Sequence, residues 1–93
     1  MNLNFEWDEN KARSNLNKHP GVSFDEAKTV FDDEFSITIE DPDHSIEEER
    51  FIDIGRSVKE RILVVVYTER GDNIRIISAR KATPAERRKY EER

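Results

Sequence analysis

The side chains best suited to chemistry in this chain are cations in its second half and one histidine in its first. Arg75 and Arg80 lie in a β-branched segment, residues 74–81, which is typical of a strand. A strand would hold the two guanidinium groups with little loss of conformational freedom when they bind phosphate. The pattern therefore indicates phosphate binding, although the chain also has many carboxylates with which each arginine could pair.

His19 is the second candidate, because it stands where a helix over residues 9–18 is predicted to end, next to Lys18. Pro20 disfavours helix at the residue before it, and Gly21 can supply a left-handed turn. An imidazole exchanges protons near neutral pH, so His19 and Lys18 are candidates for proton transfer. A lone histidine at a helix end is, however, more often structural or simply exposed, and that interpretation stays open.

A metal or cofactor site is not expected. The chain has no cysteine, and its two histidines, His19 and His44, are too isolated to form a recognisable ligand pair. The acidic segment 41–49, predicted to be a mobile loop, lacks the spacing and central glycine of a calcium-binding loop. There is also no glycine-rich phosphate loop, nucleophile elbow or dinucleotide fingerprint.

Charge is distributed unevenly along the chain, whose formal net charge is −5. Residues 1–60 carry 7 Lys and Arg against 16 Asp and Glu, whereas residues 61–93 carry 9 against 5. Such a distribution could present a cationic surface to a nucleic acid or two charged surfaces to a protein partner. No secretory signal precedes the first elements, so we expect a cytoplasmic protein.

The elements that must position these side chains follow from hydrophobic periodicity and helix caps. A short strand around Phe5 and Trp7 precedes two helices. Asp8 caps the first, which presents Ala12 and Leu16 inward. A capping box of Ser23 and Glu26 opens the second, whose apolar face consists of Phe24, Ala27, Val30 and Phe31. Four strands follow, near residues 35–40, 50–56, 62–67 and 74–81, and then a C-terminal helix opened by a Thr-Pro-Ala-Glu capping box. Strict alternation places Arg75 and Arg80 on opposite faces of the last strand.

This order predicts one domain over residues 1–93 of the α+β class. We expect a mainly antiparallel sheet of about four strands, with the two N-terminal helices and the C-terminal helix on one face.

Taken together, these residues resemble the BrnT family of toxins from bacterial type II toxin-antitoxin systems, and the resemblance runs nearly end to end. In the first half it rests on Phe5-Glu6-Trp7-Asp8, Lys11, Asn15, Lys18-His19, Gly21-Val22-Ser23-Phe24, Glu26-Ala27 and Val30-Phe31. In the second half it rests on Arg50, Gly55, Val66-Tyr67, Arg75-Ile76-Ile77-Ser78-Ala79-Arg80-Lys81-Ala82, Glu86-Arg87 and Tyr90. In the family pattern histidine is usually followed directly by glycine, whereas Pro20 intervenes here.

The resemblance implies a small ribonuclease with a fold similar to the RelE toxins, which slows translation by cutting RNA. It also implies an antitoxin partner, BrnA, that carries a ribbon-helix-helix DNA-binding domain and brings the complex to operator DNA. We expect a metal-independent cut in which the RNA 2′-hydroxyl attacks its own phosphodiester. The expected catalytic residues are Arg80, Arg75, His19 and Lys18, and the expected RNA-binding residues are Arg50, Arg56, Lys81 and Tyr67.

Three alternatives stay open at this point. The same arginines could bind the acidic helix of a protein partner in a module that has lost its enzymatic activity. Tyr67, which could stack on a base, could equally be a core residue, because it ends an unbroken apolar run. Direct DNA reading by the C-terminal helix is the weakest interpretation, since Ala85 and Tyr90 offer little anchorage.

Overall fold

The computed structural model describes residues 3–41 and 48–92, so most of the predicted loop 41–49, with His44, lies outside the described residues. The elements, in chain order, are β1 (Asn4–Glu6), α1 (Glu9–Lys18), α2 (Phe24–Ala27), a 3₁₀ turn (Lys28–Asp32), β2 (Ile37–Glu40), β3 (Arg50–Arg56), β4 (Ile62–Arg70), β5 (Asn73–Lys81) and α3 (Pro84–Glu91). Within the described ranges, no helix combines the length and apolar character needed to cross a membrane.

The strands form one five-stranded sheet in the order β1-β5-β4-β3-β2. The pairs β2–β3, β3–β4 and β4–β5 are antiparallel, as predicted, whereas β1 pairs in parallel with β5. The α+β class is confirmed, but a sheet of about four strands is corrected to a mixed sheet of five. A parallel neighbour requires a crossover, which the chain between β1 and β5 supplies.

The helices cover both faces of the sheet, so the expectation of helices on one face is wrong. On the first face, Phe24, Ala27 and Val30 pack against Leu63 and Val65. On the second face, Tyr90 anchors α3 through a cluster with Ile54 and Val64. Neighbouring strand residues point to opposite faces, so the apolar run of β4 supplies both cores. We call these two sides the N-helix face and the α3 face.

The second predicted helix is shorter than expected and its capping box is half formed. A single α-helical turn, α2, continues as the 3₁₀ turn. Ser23 accepts the backbone N–H of Glu26 at 3.0 Å, as a cap should. The carboxylate of Glu26, however, accepts from Arg61 and Ser57 instead of returning to the cap. Tertiary contacts thus replace the local hydrogen bond that the sequence suggested.

Helix α1 begins at its predicted cap but presents a different residue to the sheet. Asp8 accepts the backbone N–H groups of Asn10 and Lys11. Leu16, predicted to face inward, is 42% exposed, whereas Asn15 is buried. The inward residue is therefore an amide, which fits because it makes hydrogen bonds there rather than apolar contacts.

A β-bulge in β5 changes which face its arginines occupy. Val66 pairs with Ser78 and Tyr67 pairs with Ile76, so Ile77 is an extra residue without a direct partner in the register. Beyond the bulge, each side chain of β5 lies on the face opposite to the one that strict alternation from Arg75 assigns to it. Arg75 and Arg80 therefore both lie on the α3 face, and the prediction of opposite faces is wrong.

Candidate active site

The end of α1 and the end of β5 enclose a cleft of about 450 Å³, which we call the His19 cleft. It brings together four predicted site residues from distant parts of the chain, Lys18, His19, Arg80 and Lys81. Pro20, Val22 and Thr83 complete its lining. An imidazole, two ammonium groups and a guanidinium thus share one partly apolar concavity, in which their charges are screened less than in open water.

Asn15 holds the two sides of the His19 cleft together. Its side-chain nitrogen donates to the carbonyls of Val22 (3.1 Å) and Ala79 (2.9 Å), and its oxygen accepts the N–H of Ala79 (3.1 Å). Ala79 is the neighbour of Arg80. His19 lies one turn beyond Asn15 and donates its own backbone N–H to the Asn15 carbonyl at 2.8 Å. A single buried amide therefore positions the histidine relative to the arginine.

Arg80 is held in a bidentate ion pair with Glu86 in the first turn of α3. Nη1 and Nη2 donate to the two carboxylate oxygens at 2.7 and 2.8 Å. One of these oxygens also accepts the backbone N–H of Thr83 at 2.9 Å, which completes the predicted capping box. The Arg80 hydrogen bonds, against the opposing effect of burial, lower the pKa of Glu86 to about 2. Glu86 accordingly raises the pKa of Arg80.

Arg75 lies on the α3 face but does not line the His19 cleft. Its Nη1 donates to Glu6 of β1 at 2.7 Å. Hydrogen bonds from Asn73 and then Arg75 lower the pKa of Glu6. The β4 partners of Arg75 and Arg80 are Thr68 and Val64, four residues apart, or about 13 Å at roughly 3.3 Å per residue. The two arginines are thus fixed at separate places on one face.

A second cleft, of about 320 Å³, lies beside the first and shares Lys81 with it. We call it the Arg87 cleft. Its lining consists of Arg56, Glu60, Arg61, Ile62, Lys81, Ala82, Arg87 and Glu91. Arg56 and Lys81 were predicted to bind RNA, and the structure places them together. Arg61 and Arg87 were not selected from the sequence, although Arg61 begins the apolar run and Arg87 follows the capping-box Glu86.

Arg61 joins the Arg87 cleft to the loop that carries His19. Its Nη2 donates to the Gly21 carbonyl at 2.6 Å, and its Nε donates to Glu26 at 3.0 Å. Ser57 also donates to the Glu26 carboxylate, at 2.6 Å. Burial alone would raise the pKa of Glu26, but the hydrogen bonds from Arg61 and Ser57 lower it overall. Glu26 is thus a buried anion that fixes the Arg61 guanidinium.

Tyr67 and Arg50 lie away from both clefts. Tyr67 is only 6% exposed, with its ring between those of Phe31 and Phe51. Burial and the nearby charge of Asp53 raise the pKa of Tyr67, whose hydroxyl donates to Asp53 at 3.2 Å. The ring therefore has no free face for a base, and we leave Tyr67 out of the RNA-binding surface. Arg50 pairs with Thr68 of β4, at the opposite end of β3 from Arg56.

In the described part of the chain, no three His, Asp or Glu side chains are grouped so that they could hold a metal ion. The clefts themselves bring together the imidazole of His19 and the cations named above.

A protein family and a solved structure are similar to this chain. The family model described as the ribonuclease toxin BrnT of type II toxin-antitoxin systems matches residues 7–86, a range that includes every residue lining the His19 cleft. A crystal structure of the Brucella abortus ribonuclease toxin BrnT is similar in fold, with a TM-score of 0.64 and 24% sequence identity. The match covers 88% of this chain and 99% of that one. No curated protein sequence matches this one at a significant level.

Proposed function

Because the chain belongs to the BrnT family of ribonuclease toxins of type II toxin-antitoxin systems, we propose that it is a metal-independent endoribonuclease that cuts RNA in the cytoplasm and inhibits translation. The observation that carries the proposal is the His19 cleft, which gathers a histidine and three cations in one concavity. These are the groups that an intramolecular cleavage of RNA requires.

In the proposed reaction the RNA 2′-oxygen attacks the adjacent phosphorus. A new oxygen–phosphorus bond forms and the bond to the 5′-oxygen breaks, which leaves a 2′,3′-cyclic phosphate and a free 5′-hydroxyl. A base takes the proton of the 2′-hydroxyl, and an acid gives a proton to the departing 5′-oxygen. His19 and Lys18 are the proposed proton carriers. Arg80 and Lys81 stabilise the negative charge that develops on the phosphorane.

The ion pair with Glu86 orients Arg80 and leaves part of its guanidinium available. Glu86 occupies the Nη1 and Nη2 edge, whereas the Nε group donates to no atom of the described residues. A guanidinium has five N–H donors in a fixed plane, so the Nε and Nη2 edge remains for a phosphate. Arg80 is thus held in place before RNA binds, which reduces the entropy lost on binding.

Arg80→Ala tests the proposal, because it removes this donor set from the cleft. We expect kcat/KM for a defined RNA to fall by about 100-fold or more, as it does when one positioned donor to a developing anion is lost. Product ends should be analysed with and without EDTA, and EDTA-resistant cleavage that leaves a 2′,3′-cyclic phosphate is the expected result.

Arg70→Ala is the matched control. Arg70 ends β4, is more than half exposed and lines neither cleft. It should cleave RNA within about twofold of the wild type, since distant exposed substitutions rarely matter. Circular dichroism must show that both variants are folded. If folded Arg80→Ala cuts RNA at the wild-type rate, the assigned role of Arg80 is wrong, and EDTA-sensitive cleavage would contradict the metal-independent mechanism.

As a type II toxin, the chain has an antitoxin as its partner. We propose that this antitoxin is BrnA-like, with a ribbon-helix-helix domain that provides all contacts with operator DNA. The excess of cations in residues 61–93 supports a surface that serves RNA and an acidic antitoxin segment in turn. Arg50 remains a predicted RNA contact on the α3 face, outside the clefts. Arg75, predicted to be catalytic, lies outside the His19 cleft, and we propose that it contacts RNA instead.

A non-enzymatic binding module that acts with the antitoxin at the promoter is the second candidate. One observation favours it: Arg75 and Arg80 each donate hydrogen bonds to a carboxylate, as they would to an acidic helix of a partner. Folded protein that binds antitoxin but leaves RNA intact, under conditions in which a control ribonuclease cuts it, would establish this candidate instead.

A further inference from the structure

We propose that the Arg87 cleft is a subsite for the phosphate next to the one that is cleaved. The inference rests on the proposed function, because it extends the same RNA-binding surface by one nucleotide. It predicts that the protein recognises a stretch of single-stranded backbone rather than one isolated phosphodiester.

The two clefts are contiguous. Lys81, the last residue of β5, lines both of them. A strand whose reactive phosphate lies between His19 and Arg80 therefore crosses Lys81 before it reaches Arg56 and Arg87. Successive phosphates of a nucleic acid strand carry one charge each, so an extended cationic surface can bind them in series.

The cations of the Arg87 cleft are also available to a ligand. Arg56, Lys81 and Arg87 form no ion pair with any described residue, in contrast to Arg75 and Arg80. Glu26 pairs with Arg61, which leaves the other three cations of the cleft. Two carboxylates, Glu60 and Glu91, line the same cleft, so these cations are in excess by one. This balance favours binding of an anion, with an affinity that the carboxylates limit.

Arg61 gives the subsite a rigid side. Nε and Nη2 are engaged by Glu26 and the Gly21 carbonyl, while Nη1 donates to no atom of the described residues. Because the guanidinium is fixed before a ligand arrives, little side-chain entropy is lost on binding. The hydrogen bond from Arg61 to the Gly21 carbonyl also connects the subsite to the loop that carries His19, so the positions of the two clefts are fixed relative to each other.

Arg87→Gln, compared with Arg88→Gln, tests the subsite. Both residues are exposed arginines of α3, but Arg88 lines neither cleft. Binding is measured with 2′-O-methyl RNA, which cannot undergo the 2′-hydroxyl attack, as a dinucleotide with one phosphate and as a hexanucleotide. For the hexanucleotide, Arg87→Gln should weaken binding roughly fivefold and lower the slope of log K against log salt by about 0.7.

The dinucleotide separates the two clefts, because its single phosphate reaches only the His19 cleft. Arg87→Gln should leave its affinity within about twofold of the wild type, and Arg88→Gln should do so for both ligands. Glu91→Gln should tighten binding of the hexanucleotide about twofold, since it removes a negative charge from the cleft. Equal effects of Arg87→Gln and Arg88→Gln, or equal effects on the two ligands, would overturn the subsite.

Failure of the proposed function would give a different result. In that case wild-type protein leaves unmodified RNA intact, whatever the binding experiment shows. If the wild-type protein cleaves RNA but Arg87→Gln and Arg88→Gln bind the hexanucleotide equally well, the subsite is refuted and the proposed function stands.

Discussion

At the level of single residues, hydrogen-bonded carboxylates hold several arginines in the described part of the chain: Glu26 holds Arg61, Glu6 holds Arg75 and Glu86 holds Arg80. Ion pairs near the surface contribute little to stability, typically about 0 to 1 kcal/mol. Their main effect is to orient the guanidinium groups. This arrangement also explains how a chain with a net charge of −5 can display positioned cations.

Glu86→Gln should change how stability depends on pH. The pKa of Glu86 is lowered to about 2 from an ordinary 4.5, so its charged form stabilises the folded state. This contribution, on the order of 1 kcal/mol after solvent screening, is fully present above pH 4.5 and is lost as the pH falls towards 2. Glutamine keeps an acceptor for the capping box. Urea unfolding should show a difference between wild type and variant that disappears over this range.

Glu92→Gln is the control for this experiment, because Glu92 is exposed and follows the last turn of α3. Its unfolding free energy should follow that of the wild type at every pH. A Glu86→Gln curve parallel to the wild-type curve from pH 7 to 2 would show that the ion pair with Arg80 does not contribute.

Asp53→Asn should stabilise the protein at neutral pH. Asp53 is buried, and burial raises its pKa despite hydrogen bonds from Thr38 and Tyr67. The folded state therefore binds the proton more tightly than the unfolded chain, and wild-type stability falls as pH rises through this pKa. Asparagine removes the buried charge and keeps an accepting oxygen. We expect a gain on the order of 1 kcal/mol at pH 7 that vanishes in acid.

Thermal unfolding at pH 7 and at pH 3 measures this difference, with Asp72→Asn in the exposed β4–β5 turn as the control. The control should unfold within about 0.5 kcal/mol of the wild type at both pH values. A destabilised Asp53→Asn at pH 7 would mean that the charged carboxylate is stabilising in its setting.

The sequence shows which side chains could do chemistry, but it does not show which residues they contact in the folded protein. Asn15 contacts Ala79, and Arg61 contacts Glu26 and Gly21, across long stretches of chain. No local pattern indicates such pairs. The prediction of His19, Lys18, Arg80 and Lys81 rests on their chemistry and on the family resemblance, and the structure places them in one cleft. Tyr67 was open to two interpretations, and its burial favours the core.

At the level of secondary structure, the sequence predicted where most elements lie but not which way they face. Strand β3 has its predicted bounds, and α3 begins at its capping box. The bulge at Ile77 has no clear signature in a run of β-branched residues, yet it reverses the alternation for Ser78 and Arg80. Hydrophobic periodicity also predicted that Leu16, rather than Asn15, faces the sheet, because such a pattern assigns amide side chains to the surface.

Asn15→Ala tests how α1 is attached to the sheet. The substitution leaves the N–H and carbonyl of Ala79 and the carbonyl of Val22 without their side-chain partner in a buried place. Unsatisfied buried groups of this kind cost about 1 to 3 kcal/mol each, so we expect a loss of roughly 2 to 4 kcal/mol. Urea unfolding measures the loss, and kcat at saturating RNA should fall as well, because His19 is no longer aligned with Arg80.

Asn17→Ala provides the comparison within the same helix, since Asn17 is exposed. It should unfold within about 0.5 kcal/mol of the wild type and retain its cleavage rate. If the two variants are equally stable, the hydrogen bonds of Asn15 do not hold α1 in place.

At the level of the whole molecule, the fold class and the order of elements could be predicted, whereas the two-sided arrangement of helices could not. Tyr90 is the one buried residue of α3, and a single aromatic side chain gives no periodicity from which to choose a face. The parallel pairing of β1 could not be predicted either, because nothing in its three residues indicates which strand they pair with. The family assignment came from the whole pattern of residues, and likeness to RelE toxins stays a prediction.

The place of β5 in the sheet has a consequence for biosynthesis. Strand β5 pairs with β1, binds α1 through the side chain of Asn15 and contains Arg80, yet it is translated after every other strand of the sheet. Strand β1 and helix α1 therefore wait for a partner that is translated after all the other strands of the sheet, while the hairpins from β2 to β5 can form locally. A nascent chain that has not reached residue 81 lacks the β5 side of the His19 cleft. With the active site that we propose, we expect the toxin to cut RNA only after β5 has been translated and has paired with β1.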